Sequence, residues 1–133
     1  YKYKQRDCMS DFIIPKGKEY KFTVRVIEKD SFLPQDLTTM TSTTVELIQR
    51  STGCKVESVT PVTTIVLDAI NGMLEVTMPS GYTDALVVER GDAVDGYYLK
   101  PVYQCIITVK FSNLPDVLSI IDKVYVTPTG CIV

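Results

Sequence analysis

The pair Asn71-Gly72 constrains this chain more than any other two residues. It is flanked by Thr63-Thr64-Ile65-Val66-Leu67-Asp68-Ala69-Ile70 on one side and Met73-Leu74-Glu75-Val76-Thr77-Met78-Pro79 on the other. Both flanks are rich in β-branched and apolar residues. Asn-Gly tolerates positive φ at two successive positions, which a two-residue type I′ turn demands, so the segment predicts a β-hairpin. A hairpin alone is marginal in water and must bury its apolar face on further strands. The rest of the chain supplies them.

The clearest is Tyr20, Phe22, Val24 and Val26 alternating with Lys21, Thr23 and Arg25. Period two over seven residues means a strand with one buried and one wet face. Upstream, residues 1–10 lack periodicity and are expected to form an arm. Phe12-Ile13-Ile14 reads as an edge strand ended by Pro15-Lys16-Gly17-Lys18. Residues 29–44 read as a long polar connection with five Thr, and a loop of that length carries either function or hidden structure. Val45 and Leu47 mark a further strand, and residues 54–59 a weaker one. Residues 83–91 predict a helix of one or two turns, with Thr83 as N-cap and Gly91 as its stop. Residues 91–96 read as a loop. Tyr103, Cys105, Ile107, Val109 and Phe111 form an inward set, and Ile120, Ile121, Val124 and Val126 complete the core.

Seven to eight short strands, Gly/Pro turns and at most one short helix make an all-β chain, an Ig-like antiparallel β-sandwich. "Ig-like" describes architecture only, because the chain has no Trp for a Cys…Trp…Cys core. The expected organisation is an N-terminal arm and edge strand over residues 1–14 and one sandwich domain over 15–133. At 133 residues a sizeable core can be buried.

Composition narrows function by exclusion. A net charge of −2 without clustered Lys and Arg makes nucleic acid a poor partner. No apolar run approaches the roughly 20 residues that span a bilayer, so no membrane partner is expected. The chain has no His, which removes the usual general base and the commonest metal ligand. Asp92 with Asp95, and Asp84 with Glu89, are the nearest carboxylate pairs, and both read as solvated surface charges. Asp92 to Gly96 offers oxygens to calcium but lacks the acids of an EF-hand loop. Cys8, Cys54, Cys105 and Cys131 could make two disulfides. With no CxxC spacing they are read as free thiols, Cys105 as a small core hydrophobe. The eight Tyr include Tyr20, Tyr97, Tyr98 and Tyr103, read as core or corner tyrosines with their hydroxyls on backbone rather than as a sugar platform. No catalytic, cofactor or metal residue is expected.

The succession Lys16-Gly17, Tyr20, Phe22, Val24, then Pro34, Asp36-Leu37-Thr38, then Asp68, Gly72, Leu74, then Gly96-Tyr97 and Tyr103 resembles the N-terminal β-sandwich domain of siphophage baseplate upper proteins. The free-standing size resembles the small collar proteins that fix side fibres around a siphophage tail. What the resemblance implies is a structural, non-enzymatic ring subunit in the virion tail, made in the host cytoplasm. Such a homo-oligomer would anchor tail fibres or receptor-binding proteins. The chain stops at Val133 without the fibre-binding extension of the baseplate proteins, so direct receptor binding is not carried over. The rival reading is a secreted or surface β-sandwich module that binds carbohydrate or protein. For the ring reading, inter-subunit contacts are expected from residues 1–14 and 29–44, with Phe12, Ile13, Phe32, Leu33, Leu37 and Met40 as interface residues.

Overall fold

Among the described residues nine strands form, most clearly where β-branched and aromatic residues alternate with polar ones. The architecture comes from a computed structural model that describes residues 12–28, 30–94 and 96–128. In order they are β1 (Phe12–Pro15), β2 (Tyr20–Arg25), β3 (Met40–Gln49), β4 (Thr63–Asp68), β5 (Met73–Met78), β6 (Arg90–Ala93), β7 (Gly96–Leu99), β8 (Tyr103–Phe111) and β9 (Val117–Thr127). One turn of helix, α1 (Ser80–Thr83), lies between β5 and β6. A four-stranded sheet β1-β9-β8-β3 packs on a three-stranded sheet β2-β5-β4, and β6-β7 is a separate ribbon. The chain is an all-β sandwich with seven strands in its two layers. One pairing departs from the antiparallel rule. β1 runs parallel to β9, with Phe12 opposite Val124 and Pro15 opposite Thr127.

The alternations read from the sequence set the core. Tyr103, Cys105, Ile107, Val109 and Phe111 all point inward, and Lys110 is exposed. They form one core cluster with Leu74 and Met78 of β5 and Leu47 of β3. The edge of β3 is shielded where Val56 N–H donates to Leu47 O at 2.9 Å and Gln49 N–H to Cys54 O at 2.8 Å. Residues 54–59 give only a single bridge, Lys55 to Ile48, and not the strand expected there. Among the described residues no helix is long and apolar enough to cross a membrane.

Several expectations are corrected. The hairpin is present, with Thr63 opposite Thr77 and Val66 opposite Leu74, but its turn is not type I′. The connection is four residues long, and Gly72 has positive φ (68°) whereas Asn71 does not. Asp68 takes over the role given to Asn71: its carboxylate accepts the Asn71 Nδ2–H at 2.8 Å and N–H at 3.3 Å. These hydrogen bonds hold the Asp68 carboxyl below its usual range. The helix begins earlier than expected and ends at Thr83, because the Thr83 hydroxyl donates to Lys18 O at 2.8 Å and ties the chain down. Beyond it, Val87 N–H donates to the Tyr103 hydroxyl at 2.9 Å, a corner tyrosine of the expected kind. Residues 91–93 and 96 are not a loop but belong to the paired strands β6 and β7, and Gly96 takes φ 138°, open only to glycine. The long connection 29–44 is shorter, since Met40 already begins β3.

Ile120 is not in the core. A bulge in β9 sets three residues, from Ile121 to Val124, against the two-residue step from Cys105 to Tyr103. An extra residue in a strand flips the face of everything beyond it. Val124 and Val126 are buried on one side of the bulge, while Ile121 is half-buried and Ile120 is 57% exposed on the other.

Burial gives the core a titration signature. It pushes the Cys105 thiol up to about 12 from 9.0, and the Tyr82 hydroxyl up to about 12 from 10.0. Between these values the unfolded chain has released protons that the folded chain still holds. Stability is therefore fully present below pH 9 and is lost as pH rises toward 12. Urea midpoints measured from pH 7 to 11.5 should hold level and then fall from about pH 9. In Cys105→Ala the onset should move to about pH 10, where Tyr82 takes over. A wild-type midpoint that stayed flat to pH 11.5 would contradict the burial of both groups.

Candidate protein interface

The connection between β2 and β3 carries the most unusual surface residue among the described ones. Glu28 N–H donates to Leu33 O at 2.8 Å, and Phe32 N–H donates to Glu28 O at 3.0 Å, which closes the chain on itself. The Ser31 hydroxyl donates to Glu28 Oε1 at 2.5 Å and accepts Leu33 N–H at 3.3 Å. This tight turn forces Phe32 to φ 60°, the only positive φ outside glycine among the described residues. The left-handed region costs a bulky L-residue about 1–2 kcal/mol. Phe32 is also 72% exposed, so it recovers little of that by burial. A strained, exposed aromatic costs the monomer twice, and such residues cluster where a surface is used.

Phe32 stands over a groove of about 620 Å³ lined also by Ile27, Leu118 and Ile120, with Arg25 and Asp116 among its polar residues. The floor is apolar because two edges fail to meet there. β1 covers β9 only from Val124 to Thr127, so from Val117 to Ile121 no described residue pairs with the outer side of β9. β2 ends at Arg25, and Ile27 beyond it makes only a bridge to Pro34. Leu118 and Ile120, on this part of β9, are each 57% exposed.

The opposite side of the sandwich carries a second open edge. β4 is the last strand of its sheet and is bonded only to β5. Ile65, Val66 and Leu67 are all exposed, with Ile70 at the hairpin tip. Isolated exposed apolar residues are ordinary, but a run along an edge strand marks an interaction surface or an aggregation hazard.

The six expected interface residues separate into two groups. Phe32 and Leu33 are exposed and lie in the turn just described, and Ile13 is exposed on the outer four-stranded sheet, away from them. Leu37 is corrected: it is 3% exposed and belongs to the core. Asp36 dictates this, because its Oδ1 accepts both Thr38 N–H at 2.9 Å and the Thr38 hydroxyl, and the resulting turn aims Leu37 inward. Those hydrogen bonds hold the Asp36 carboxyl below its usual range. Phe12 is committed to the fold through edge-on contacts with Phe22 at 4.5 Å and Tyr20 at 5.5 Å between ring centres. Met40 is half-buried against the core, and its Sδ accepts the Thr43 hydroxyl at 3.0 Å.

Ile27, Leu118, Ile120 and the β4 run are surface residues that the sequence reading does not single out. Ile27 is recoverable, since it follows the inward Val26 in an unbroken alternation. Three consecutive apolar residues at 65–67 also cannot all point inward from one strand.

Asp84 is exposed, and Asp95, Cys8 and Cys131 lie outside the described residues, as does the arm at 1–10. Among the described residues no three of His, Cys, Asp and Glu come together as a metal site. Cys54 is an exposed free thiol and Cys105 a buried one.

Phe32→Gly separates surface use from folding. Glycine adopts the left-handed conformation freely but adds entropy to the unfolded chain, so monomer stability should rise by about 0.5–1 kcal/mol. The same change should weaken any association that uses the groove. Chemical denaturation and sedimentation of the one variant check both halves; a loss of stability would show that Phe32 is a fold residue. No protein-family model matches the chain, and no curated protein matches its sequence.

Proposed function

We propose that this protein is a non-catalytic structural subunit that assembles with copies of itself into a ring. In this reading it is a collar or baseplate component of a phage tail that anchors fibre or receptor-binding proteins in the virion. The observation that carries it is the groove beneath Phe32, where strain and exposed apolar surface are retained together at the monomer's expense. A bound partner would turn the exposed surface into affinity, since burying a Phe side chain contributes about 1.5–3 kcal/mol. Two edges that no described residue pairs, on β4 and on β9, support ring building in particular. They lie on opposite sides of one sandwich, and an interface between unlike surfaces propagates from copy to copy until rotation closes it. The tail setting rests on the resemblance to baseplate upper proteins.

Light scattering after size exclusion tests the assembly. A mass that is a fixed multiple of the single chain, constant over a hundredfold range of concentration, is the expected result. A single-chain mass throughout that range would overturn the ring reading.

A further inference from the structure

We propose that Asn71 is a deamidation site that the fold itself holds shut, released only when the turn between β4 and β5 opens. The chemistry is intramolecular. Glycine has no side chain to crowd its backbone nitrogen, so in an Asn-Gly pair that nitrogen can reach the preceding side chain. The Gly72 nitrogen loses its proton to solvent and bonds to Asn71 Cγ. The Cγ–Nδ2 bond breaks, and the departing nitrogen takes up a proton from solvent and leaves as ammonia. Water then opens the five-membered succinimide at one of its two carbonyls. One opening leaves aspartate at position 71; the other leaves isoaspartate, with the backbone routed through the former side chain. Water is the only co-reactant.

In the folded chain the reacting groups are tied to other partners. Gly72 N–H donates to Ala69 O at 3.3 Å, so the electron pair freed by deprotonation would face a carbonyl oxygen and not Cγ. Asn71 Nδ2–H donates to Asp68 Oδ2 at 2.8 Å and Asn71 N–H to Asp68 Oδ1 at 3.3 Å, which fixes the side chain toward Asp68. The Asp68 carboxylate also repels the negative charge that builds on the Gly72 nitrogen and Asn71 Oδ1 during attack. Turning the 71–72 peptide toward Cγ would carry Gly72 O away from Val26 N–H, a hydrogen bond of 2.8 Å. Asn71 is exposed to water, but Gly72 is buried, with Val26 O and Gln35 O where a Cβ would stand. The packing that demands glycine at 72 thus creates the labile pair and shields it. Isoaspartate would lengthen the backbone by one methylene and displace Gly72 from that packing, so an opening that ends in reaction is not reversed.

Wild-type protein held in mildly alkaline buffer, in parallel with and without unfolding urea, tests this. Peptide mapping across residues 71–72 gives the rate at which aspartate and isoaspartate appear. The folded rate should be at least about tenfold below the unfolded one, because reaction waits for local opening. Asp68→Ala frees the Asn71 side chain and should raise the folded rate about fivefold, the population shift that one hydrogen bond of average net strength controls. In urea the same variant should react at the wild-type rate, and Gly72→Ala should react far more slowly. Equal rates for folded and unfolded wild type overturn the proposal, and that comparison depends on no variant's folding. A folded Asp68→Ala that reacts no faster than wild type overturns it as well.

Discussion

Gly72→Ala is expected to cost about 3–4 kcal/mol, enough to lower the melting temperature of a chain this size by roughly 10–15 °C. Two independent causes add. Gly72 sits at φ 68°, where an alanine Cβ costs about 1–2 kcal/mol. The added Cβ would also meet Val26 O at 2.5 Å and Gln35 O at 2.8 Å, both backbone atoms with no side-chain freedom to move aside. That backbone is held by Val26 N–H donating to Gly72 O at 2.8 Å and Gln35 N–H donating to Val26 O at 2.9 Å. Relieving the overlap means giving up one or both hydrogen bonds, each worth about 1 kcal/mol net. Asn71→Ala provides the contrast, because it removes only exposed hydrogen bonds to Asp68 and should cost less than about 1 kcal/mol. Equal costs at 71 and 72 would mean that the turn, and not the close approach of the hairpin to residues 26–35, sets the requirement for glycine.

The same position shows how far local sequence rules reach. Asn71-Gly72 announces a hairpin, and the hairpin is there. The demand on Gly72 nonetheless comes from Val26 and Gln35, residues far away in sequence, and no local rule reports such a contact. Alternation locates β2 and β8 and their inward residues, because period two is written directly into which side chains can share a buried face. It fails at Ile120, where one inserted residue shifts the phase, and a bulge leaves no mark in composition. It fails again for residues 91–96, where two glycines and two aspartates read as a loop although β6 pairs with β7. The interface is half legible. Phe32 and Leu33 stand out as large apolar residues in a polar loop, whereas the β4 run becomes surface because β4 is last in its sheet. Strand order is a long-range property, and edges are known only once it is.

Leu37→Ala tests that division between fold and surface, and it should destabilise the monomer by about 3 kcal/mol. Leu37 is packed into the core cluster, and its backbone is fixed by its own N–H donating to Ala69 O at 2.8 Å and by its carbonyl accepting Met40 N–H at 3.0 Å. With both neighbours tied, the backbone cannot collapse onto the space left by three carbons, so a cavity term adds to the lost transfer energy. An interface residue would behave in the opposite way, leaving the unfolding midpoint unchanged and lowering the assembled mass. The two measurements must be made where folding is still nearly complete, since a destabilised subunit loses assembly by mass action alone. Under that condition Leu37→Ala should shift the urea midpoint and keep the wild-type mass, while Phe32→Gly should keep or raise the midpoint and lose the mass. If Leu37→Ala instead dissociated the assembly with an unchanged midpoint, the turn at residues 36–38 would have to open on association. The Asp36 to Thr38 hydrogen bonds would then be a latch holding Leu37 in reserve.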